Sequence, residues 1–560
     1  MNTKRQYILI IFNYCVMKFG SKIIVYFRVI IGVLMIVLTF FYWPPTILSV
    51  MHFILISYTL STSTILKIVV IVGIFSLSFA VILLAAFTTH RLRWWLFLLI
   101  SLSLMTSAVF YQVTGHTMGY PDWLTLWRAK ANINDAFYEY LVDFFEASLR
   151  LIPLVLGFAL IPETHRSLFP WVTSLFLLSV AVFITVNIVK QAGATNLLPS
   201  ATSLYGMMIS SALDNQSSEY IYTTNIQPNK TRQADHIILI VDESIRYDFF
   251  KQIVLSRLSM KDWYVYDFGI ATAMANCSAE SNIMLRKFVE KNTITHDVYN
   301  HPLIWNLAHN AGFTTWLLDA QRNGKGHNYF DAKELSMIDY KPNIRTEHDI
   351  SLVNELRTLP TDKPSFTYII KIGSHFPYEN RYPVDFQSDL SIMEHPYIRN
   401  NKKRQQYVNA IDYQTGQFFE QLSKVKLPER TIIFYTSDHG QNVGDELRKT
   451  HCSSSSRPLV DEGIVPLLVL ANFDITEMNE VVQNNYNRMS HFDMMKTIID
   501  FLGYGYVENK SIGLLRTDNL SFQEFLYGSA FGYFNSPIKT MPVNTDDYQN
   551  LENARWNITH

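Results

Sequence analysis

The apolar residues of this 560-residue chain are divided unevenly, and that division limits the fold more than any single motif. Residues 1–195 hold long apolar runs; residues 235–560 hold short ones bounded by polar turns. A helix needs about 20 apolar residues to cross a bilayer. Five runs qualify, at roughly 23–43, 64–87, 94–112, 147–162 and 169–190. A sixth, ILSVMHFILISYTL at 47–60, is short and is read as lying at the interface. Hydrophobic residues make up 49% of the chain and charged residues only 17%, which fits membrane segments better than a soluble protein of this length. The net charge of −1 gives no sign of a nucleic-acid partner. The three cysteines, Cys15, Cys277 and Cys452, form no C-x-x-C motif and define no disulfide framework.

Short-loop basic residues set the orientation. Lys4, Arg5, Lys18 and Lys22 precede the first run, Arg91 and Arg93 lie between the second and third, and Arg166 lies between the fourth and fifth. Residues 44–63 carry no Lys or Arg. Five spans with the N-terminus inside put everything after residue 191 outside, although Arg128 and Lys130 in the outer loop 113–146 count against it. The expected domains are a transmembrane domain at 1–195 and a linker with an interfacial segment at 196–234. An outer catalytic domain follows at 235–520, with its C-terminal tail at 521–560.

The outer half reads as an α/β domain with a mainly parallel central sheet. HIILIVDES (236–244), FTTWLLDA (313–320), SFTYIIKIGSH (365–375), RTIIFYTSDHG (430–440) and VPLLVLA (465–471) are strand-like. Helix-like segments such as QQYVNAIDYQTGQFFEQLSKV separate them. Short apolar runs alternating with helices indicate such a sheet. Ligand-type residues gather where these strands end: Glu243, Asp319, His375, and Asp438 with His439. Open parallel sheets bind ligands at that edge. Each position alone could be a turn residue; four together point to a site.

Glu243, Asp438 and His439 are oxygen and imidazole donors that suit zinc. Three protein ligands leave a fourth position where a hydroxyl can become a nucleophile. The candidates lie in ANCSAESNIMLRKFVEKN (275–292), where the helical pattern starts near Asn282. Ser278 and Ser281 both precede that start, and either could be a plain N-cap.

At this point the chain resembles the membrane-bound phosphoethanolamine transferases of the alkaline-phosphatase and sulfatase-like superfamily. VDESIRYD carries the family's Glu-Ser-x-Arg motif at Glu243, and SDHGQ stands for its SDHGE motif at Asp438 and His439. The family's nucleophilic Thr lies four residues after a Cys; that offset from Cys277 is Ser281, so the resemblance implies Ser281 as nucleophile and metal ligand. DAQRNGKG puts Gln321 and Lys325 at substrate-binding positions, and GSHFPY gives His375. His451, twelve residues beyond His439, matches a later family His, and Asp135 takes the place of a donor-lipid Glu in the outer loop. The family's bridge from the Cys before the nucleophile has no second Cys near Lys287; Cys277 and Cys452 could pair instead.

The resemblance implies zinc-dependent transfer of phosphoethanolamine from phosphatidylethanolamine to an envelope acceptor: lipid A, the lipopolysaccharide core or another glycan. It further implies a covalent Ser281 intermediate and a monomer in the bacterial inner membrane with its catalytic domain in the periplasm. A phosphoglycerol transferase using phosphatidylglycerol and a membrane-anchored phosphatase or sulfatase are the alternatives. CSAES lacks the Pro and Arg of the sulfatase motif. His491 and Asp493 resemble a structural helix start rather than site residues.

Overall fold

The structure is a computed structural model. It describes residues 22–39, 62–128, 133–163, 168–189, 201–213, 220–321, 330–344, 346–360, 362–444, 451–452, 457–476, 478–505, 523–532 and 536–557. The chain divides into two compact units, Met1–Trp123 with Tyr140–Asn215 and Leu124–Glu139 with Gln216–His560.

The first unit is helical. Among the described residues three helices are long and apolar enough to cross a membrane: Lys22–Thr39, His90–Thr114 and Phe169–Val189. Thr62–Phe87, a 26-residue helix, lies in the second expected run. The run expected as a fourth span is broken into Leu141–Leu149 and Ile152–Leu160. Pro153 sits in the first turn of the second piece, where its missing N–H costs nothing but cannot continue a helix from before. Three of the five expected spans are thus present among the described residues as helices long and apolar enough to cross, and the run 47–60 lies outside the described residues. Helix Lys22–Thr39 packs closely on Ile152–Leu160: a Cβ on Gly32 would stand 3.0 Å from the Gly157 carbonyl, and one on Gly157 2.8 Å from the Gly32 carbonyl. Within the stretch expected as a linker, helix Ser203–Leu213 packs on Phe169–Val189, with Gly206 against the Phe183 ring and Asn187 donating to Ser210.

The second unit is built on a seven-stranded sheet ordered β3-β4-β1-β5-β6-β2-β7. The strands are β1 (His236–Asp242), β2 (Tyr264–Thr272), β3 (Thr314–Asp319), β4 (Ser365–Ile370), β5 (Thr431–Ser437), β6 (Ile464–Ala471) and β7 (Met489–Ser490). All neighbours pair parallel except β6, which runs against β5 and β2. The mainly parallel sheet read from the sequence is therefore present. Strand β1 is buried throughout, and its pleat sends Ile237, Leu239 and Val241 into one core and Ile238 and Ile240 into the other. The sequence pattern did not single out β2, whose first residues are exposed. A hairpin, β8 (Gln523–Tyr527) with β9 (Lys539–Val543), and the helix Thr545–Trp556 close the C-terminus. Phe525, Val543 and Tyr548 pack there with Tyr247, Ile270 and Ile464, so residues after 520 complete the same fold.

Candidate metal centre

Strands β1 and β5 pair in register to their last residues, Asp242 opposite Ser437. The residues that follow, Glu243 and Asp438, therefore emerge side by side at the C-terminal edge. The Asp438 amide donates to the Asp242 carbonyl (2.9 Å). Ser244 turns the chain with a left-handed φ of 60°, its amide donating to Asp438 Oδ1 and its hydroxyl to Glu243 Oε1 (3.2 and 2.8 Å). Gly440 is required by close approach: a Cβ there would stand 2.1 Å from the Asp461 carbonyl oxygen. This is why a glycine follows the Asp-His pair.

Glu243, Asp438 and His439 are buried, with ligand atoms within 4.8 Å of one another. His439 Nε2 lies 3.5 Å from Glu243 Oε1 and 3.6 Å from Asp438 Oδ2. The Ser278 hydroxyl completes the cluster, 3.0 Å from His439 Nε2 and 3.4 Å from Glu243 Oε1. Donors at zinc distances in a tetrahedron stand roughly 3.3 Å apart. The four separations just given lie close to that spacing. His439 Nδ1 donates to the Gly440 carbonyl (2.7 Å), which turns the lone pair of a neutral ring's Nε2 toward two carboxylates. Burial pushes the Glu243 carboxyl up to about 7, with Asp438 adding to it, and burial pushes Asp438 up to about 6. Two buried carboxylates and an imidazole lone pair facing one point are the donor set a divalent cation satisfies.

The position of Ser281 departs from expectation. The helix begins at Ser278, a turn earlier than the pattern suggested, with Cys277 as N-cap. Ser281 is thereby inside the first turn, its amide bonded to the Cys277 carbonyl (2.9 Å). Its hydroxyl donates to the backbone carbonyl of Asp438 (2.6 Å) and it has no exposed surface. Ser278 faces the three ligands; Ser281 braces the loop that carries them.

The other expected residues divide into those at the site and those beside it. Gln321 is at the site, donating to Glu243 Oε2 (3.1 Å) and the Lys371 carbonyl (2.7 Å). Asp319 holds it by accepting its amide (2.9 Å). The His451 ring lies 4.1 Å from that of His439, and burial, then His439 and His375, hold it well below the usual imidazole range. His375 stacks on Phe376 at 4.5 Å, and its Nδ1 donates to the Phe376 carbonyl (2.6 Å). Asp135, expected on the donor-lipid side, is joined by Arg381 (3.2 Å) to the His375 carbonyl (2.8 Å). Lys325 lies outside the described residues. Cys277 and Cys452 form a disulfide.

Three supports escaped sequence reasoning. Gln441 donates to the Tyr378 hydroxyl and accepts from His451 Nδ1, both at 2.8 Å. Asn282 donates to the Ser278 carbonyl (2.9 Å) and reaches Asp438 Oδ2 at 3.5 Å. Lys371, fully buried, pairs with Asp242 and stands 3.6 Å from Asp349, whose carboxylate accepts the Ile372 and Gly373 amides (2.8 and 3.0 Å) that start the turn to His375. A lysine ending an otherwise apolar strand was the one available signal, since a buried lysine needs a carboxylate.

Residues 235–504 match the sulfatase family model. The curated phosphoethanolamine transferase EptA of Helicobacter pylori (strain ATCC 700392 / 26695) is 26% identical over 216 residues, 35% of this chain and 40% of that protein. The chain thus matches less than half the length of that relative. Among solved structures, the integral membrane protein lipooligosaccharide phosphoethanolamine transferase A (EptA) from Neisseria meningitidis is 15% identical, covering 75% of this chain and 86% of its own, with a TM-score of 0.49. The C-terminal periplasmic domain of EcEptC from Escherichia coli, solved in complex with Zn, is 16% identical over 58% of this chain and 97% of its own, with a TM-score of 0.46. Residues 235–504 are thus similar to the sulfatase family, and part of the chain is similar to a curated phosphoethanolamine transferase.

Proposed function

We propose that this protein is a zinc-dependent phosphoethanolamine transferase of a bacterial inner membrane, working through a covalent intermediate on Ser278. The observation that carries the reading is the Ser278 hydroxyl among three buried metal-type ligands. The sulfatase-family match and the name of the curated relative support it. Glu243, Asp438 and His439 would hold the ion, which when bound favours the Ser278 alkoxide and offsets phosphoryl charge.

The Ser278 oxygen attacks the phosphorus of phosphatidylethanolamine. The bond to the glycerol oxygen breaks, and diacylglycerol leaves with a proton. A hydroxyl or phosphate oxygen on an envelope lipid or glycan then attacks the same phosphorus, and Ser278 recovers its proton. Gln321 fixes Glu243, and His451 lines the site beside His439; His375 is assigned a substrate contact on its motif. Lys325 is assigned a substrate contact on its motif alone, and Asp135 a place at the donor-lipid side through Arg381. Membrane helices in the N-terminal half confine the enzyme to the surface that carries its donor. In this reading they cross five times and leave the catalytic unit in the periplasm.

The test is peptide mass spectrometry of protein incubated with phosphatidylethanolamine and no acceptor. A phosphoethanolamine adduct on Ser278 is expected. An adduct on Ser281 moves the nucleophile, a phosphoglycerol adduct from phosphatidylglycerol changes the donor, and no adduct with either lipid ends the transferase reading.

A further inference from the structure

The Cys277–Cys452 disulfide joins two points at the candidate site that lie 175 residues apart in sequence. Cys277 is the N-cap of the helix whose first residue is Ser278. Cys452 directly follows His451. Cys277 is buried, and Cys452 takes a left-handed φ of 71°, a conformation an L residue adopts only when its surroundings hold it there. His451 has three described non-covalent ties of its own: the Gln441 side chain and the rings of His439 and Phe376. The bridge adds a covalent one, anchored one residue from the hydroxyl that meets the metal ligands.

We infer that this disulfide is a positioning bond for the reaction: it holds His451 against His439 at a fixed offset from Ser278. The inference rests on the transferase reading above. A bond with a purely architectural task could lie anywhere in the unit; this one flanks two groups that must meet the same phosphoryl centre. A displacement near 1 Å of a positioned group can cost about 100-fold in rate. Opening the bridge should therefore lower turnover while the ligands Glu243, Asp438 and His439 keep their metal.

The test uses the full-length protein in membranes, as wild type and as Cys277→Ala/Cys452→Ala. Wild type is also treated with a water-soluble phosphine, which with one water converts the disulfide to two thiols and itself to the phosphine oxide; the thiols are then alkylated. Four quantities are read: kcat and KM for the donor lipid, zinc per chain, and the rate at which diethyl pyrocarbonate acylates His451, located by peptide mapping. The expected result is a kcat roughly 10- to 100-fold lower with KM and zinc little changed. Acylation of His451 should be severalfold faster, and activity should return when unalkylated thiols are reoxidised. Unchanged kcat and unchanged acylation in the opened protein overturn the inference. So does a loss of kcat that only tracks lost zinc or lost folded protein, which marks an architectural bond. If the double variant does not fold, the reduced wild type gives the same readings. A wild type that never turns over phosphatidylethanolamine fails the transferase reading instead, and the acylation rate still decides whether the bridge positions His451.

Discussion

Two helices start at the same edge of the sheet, and they use their first hydroxyl groups differently. In helix His491–Phe501 the N-cap is Ser490, which forms a capping box: its hydroxyl accepts the Asp493 amide (3.4 Å) and Asp493 Oδ2 accepts the Ser490 amide (2.9 Å), with the hydroxyl also donating to Oδ2 (2.7 Å). The next residue, His491, is buried with both ring nitrogens engaged, Nδ1 by the Met274 amide (3.2 Å) and Nε2 by the Thr436 hydroxyl (2.8 Å). In helix Ser278–Lys287 the N-cap is Cys277, which makes no side-chain cap bond. Ser278 sits one residue later, and its hydroxyl turns to Glu243 and His439. A serine at the cap is consumed by orphan amides. A serine just inside, behind a cap that makes no such bond, stays available for chemistry and keeps the favourable end of the helix dipole.

The largest effect separates the two starts outright. Ser278→Ala should lower phosphoethanolamine transfer by several orders of magnitude, because it removes the attacking oxygen and leaves no nearby substitute. Ser490→Ala should leave turnover unchanged and cost about 1 kcal/mol of stability, the usual loss of a cap. Zinc analysis sharpens the contrast: Ser278→Ala keeps three ligands and most of its metal, whereas Asp438→Ala should lose metal and turnover together. Robust transfer by Ser278→Ala would sink the comparison.

The same pair of helices shows what the sequence could convey. The sheet was legible because β1, β4 and β5 are continuous apolar runs buried on both faces. The cluster of Glu243, Asp438 and His439 was legible because these residues follow those runs directly. The choice between Ser278 and Ser281 was not, since it depended on where one helix begins. AESN reads as a cap region, but the tertiary setting starts the helix at Ser278 and makes Cys277 the cap. Here the start lies a turn earlier than the pattern suggested, and that decides which hydroxyl faces Glu243 and His439. The fourth apolar run shows a break that composition could not report: Pro153 opens a new helix there without changing the apolar content. The supports from Gln441 and Lys371 are long-range pairings that no local pattern carries.

A smaller effect concerns pH. Burial holds the His491 ring at about 3, below its ordinary 6.5. Its Nδ1 accepts an amide hydrogen, so a proton there would face a donor. Between those two values the unfolded chain binds a proton that the folded chain refuses. Stability therefore falls as pH drops through 6.5, by up to about 1.4 kcal/mol per pH unit. His491→Gln is less stable near neutrality but lacks that titration. The gap between wild type and variant in denaturant midpoints should narrow from pH 7.5 to pH 5. Parallel curves would show that the ring does not titrate against the fold.

The smallest effect is the most diagnostic. Ser281 is completely buried and donates to the Asp438 carbonyl at 2.6 Å. Removing that hydroxyl leaves Ser278, Glu243, Asp438 and His439 in place. Ser281→Ala should therefore cost about 1 kcal/mol of stability, the ordinary worth of one buried hydrogen bond, and reduce turnover only severalfold. Ser281→Thr separates geometry from family resemblance more finely. If Ser281 were the nucleophile, threonine would be the conservative exchange, with the hydroxyl preserved and activity partly kept. In the packing described here the added methyl enters a closed space against the Asp438 loop, and the exchange should cost about 1–3 kcal/mol by overpacking. Ser281→Thr should then be less stable than Ser281→Ala, and the adduct should form on Ser278 in both. The reverse order, with an active threonine variant and an inert alanine variant, would return the chemistry to Ser281 and leave Ser278 as a hydroxyl that only resembles a ligand.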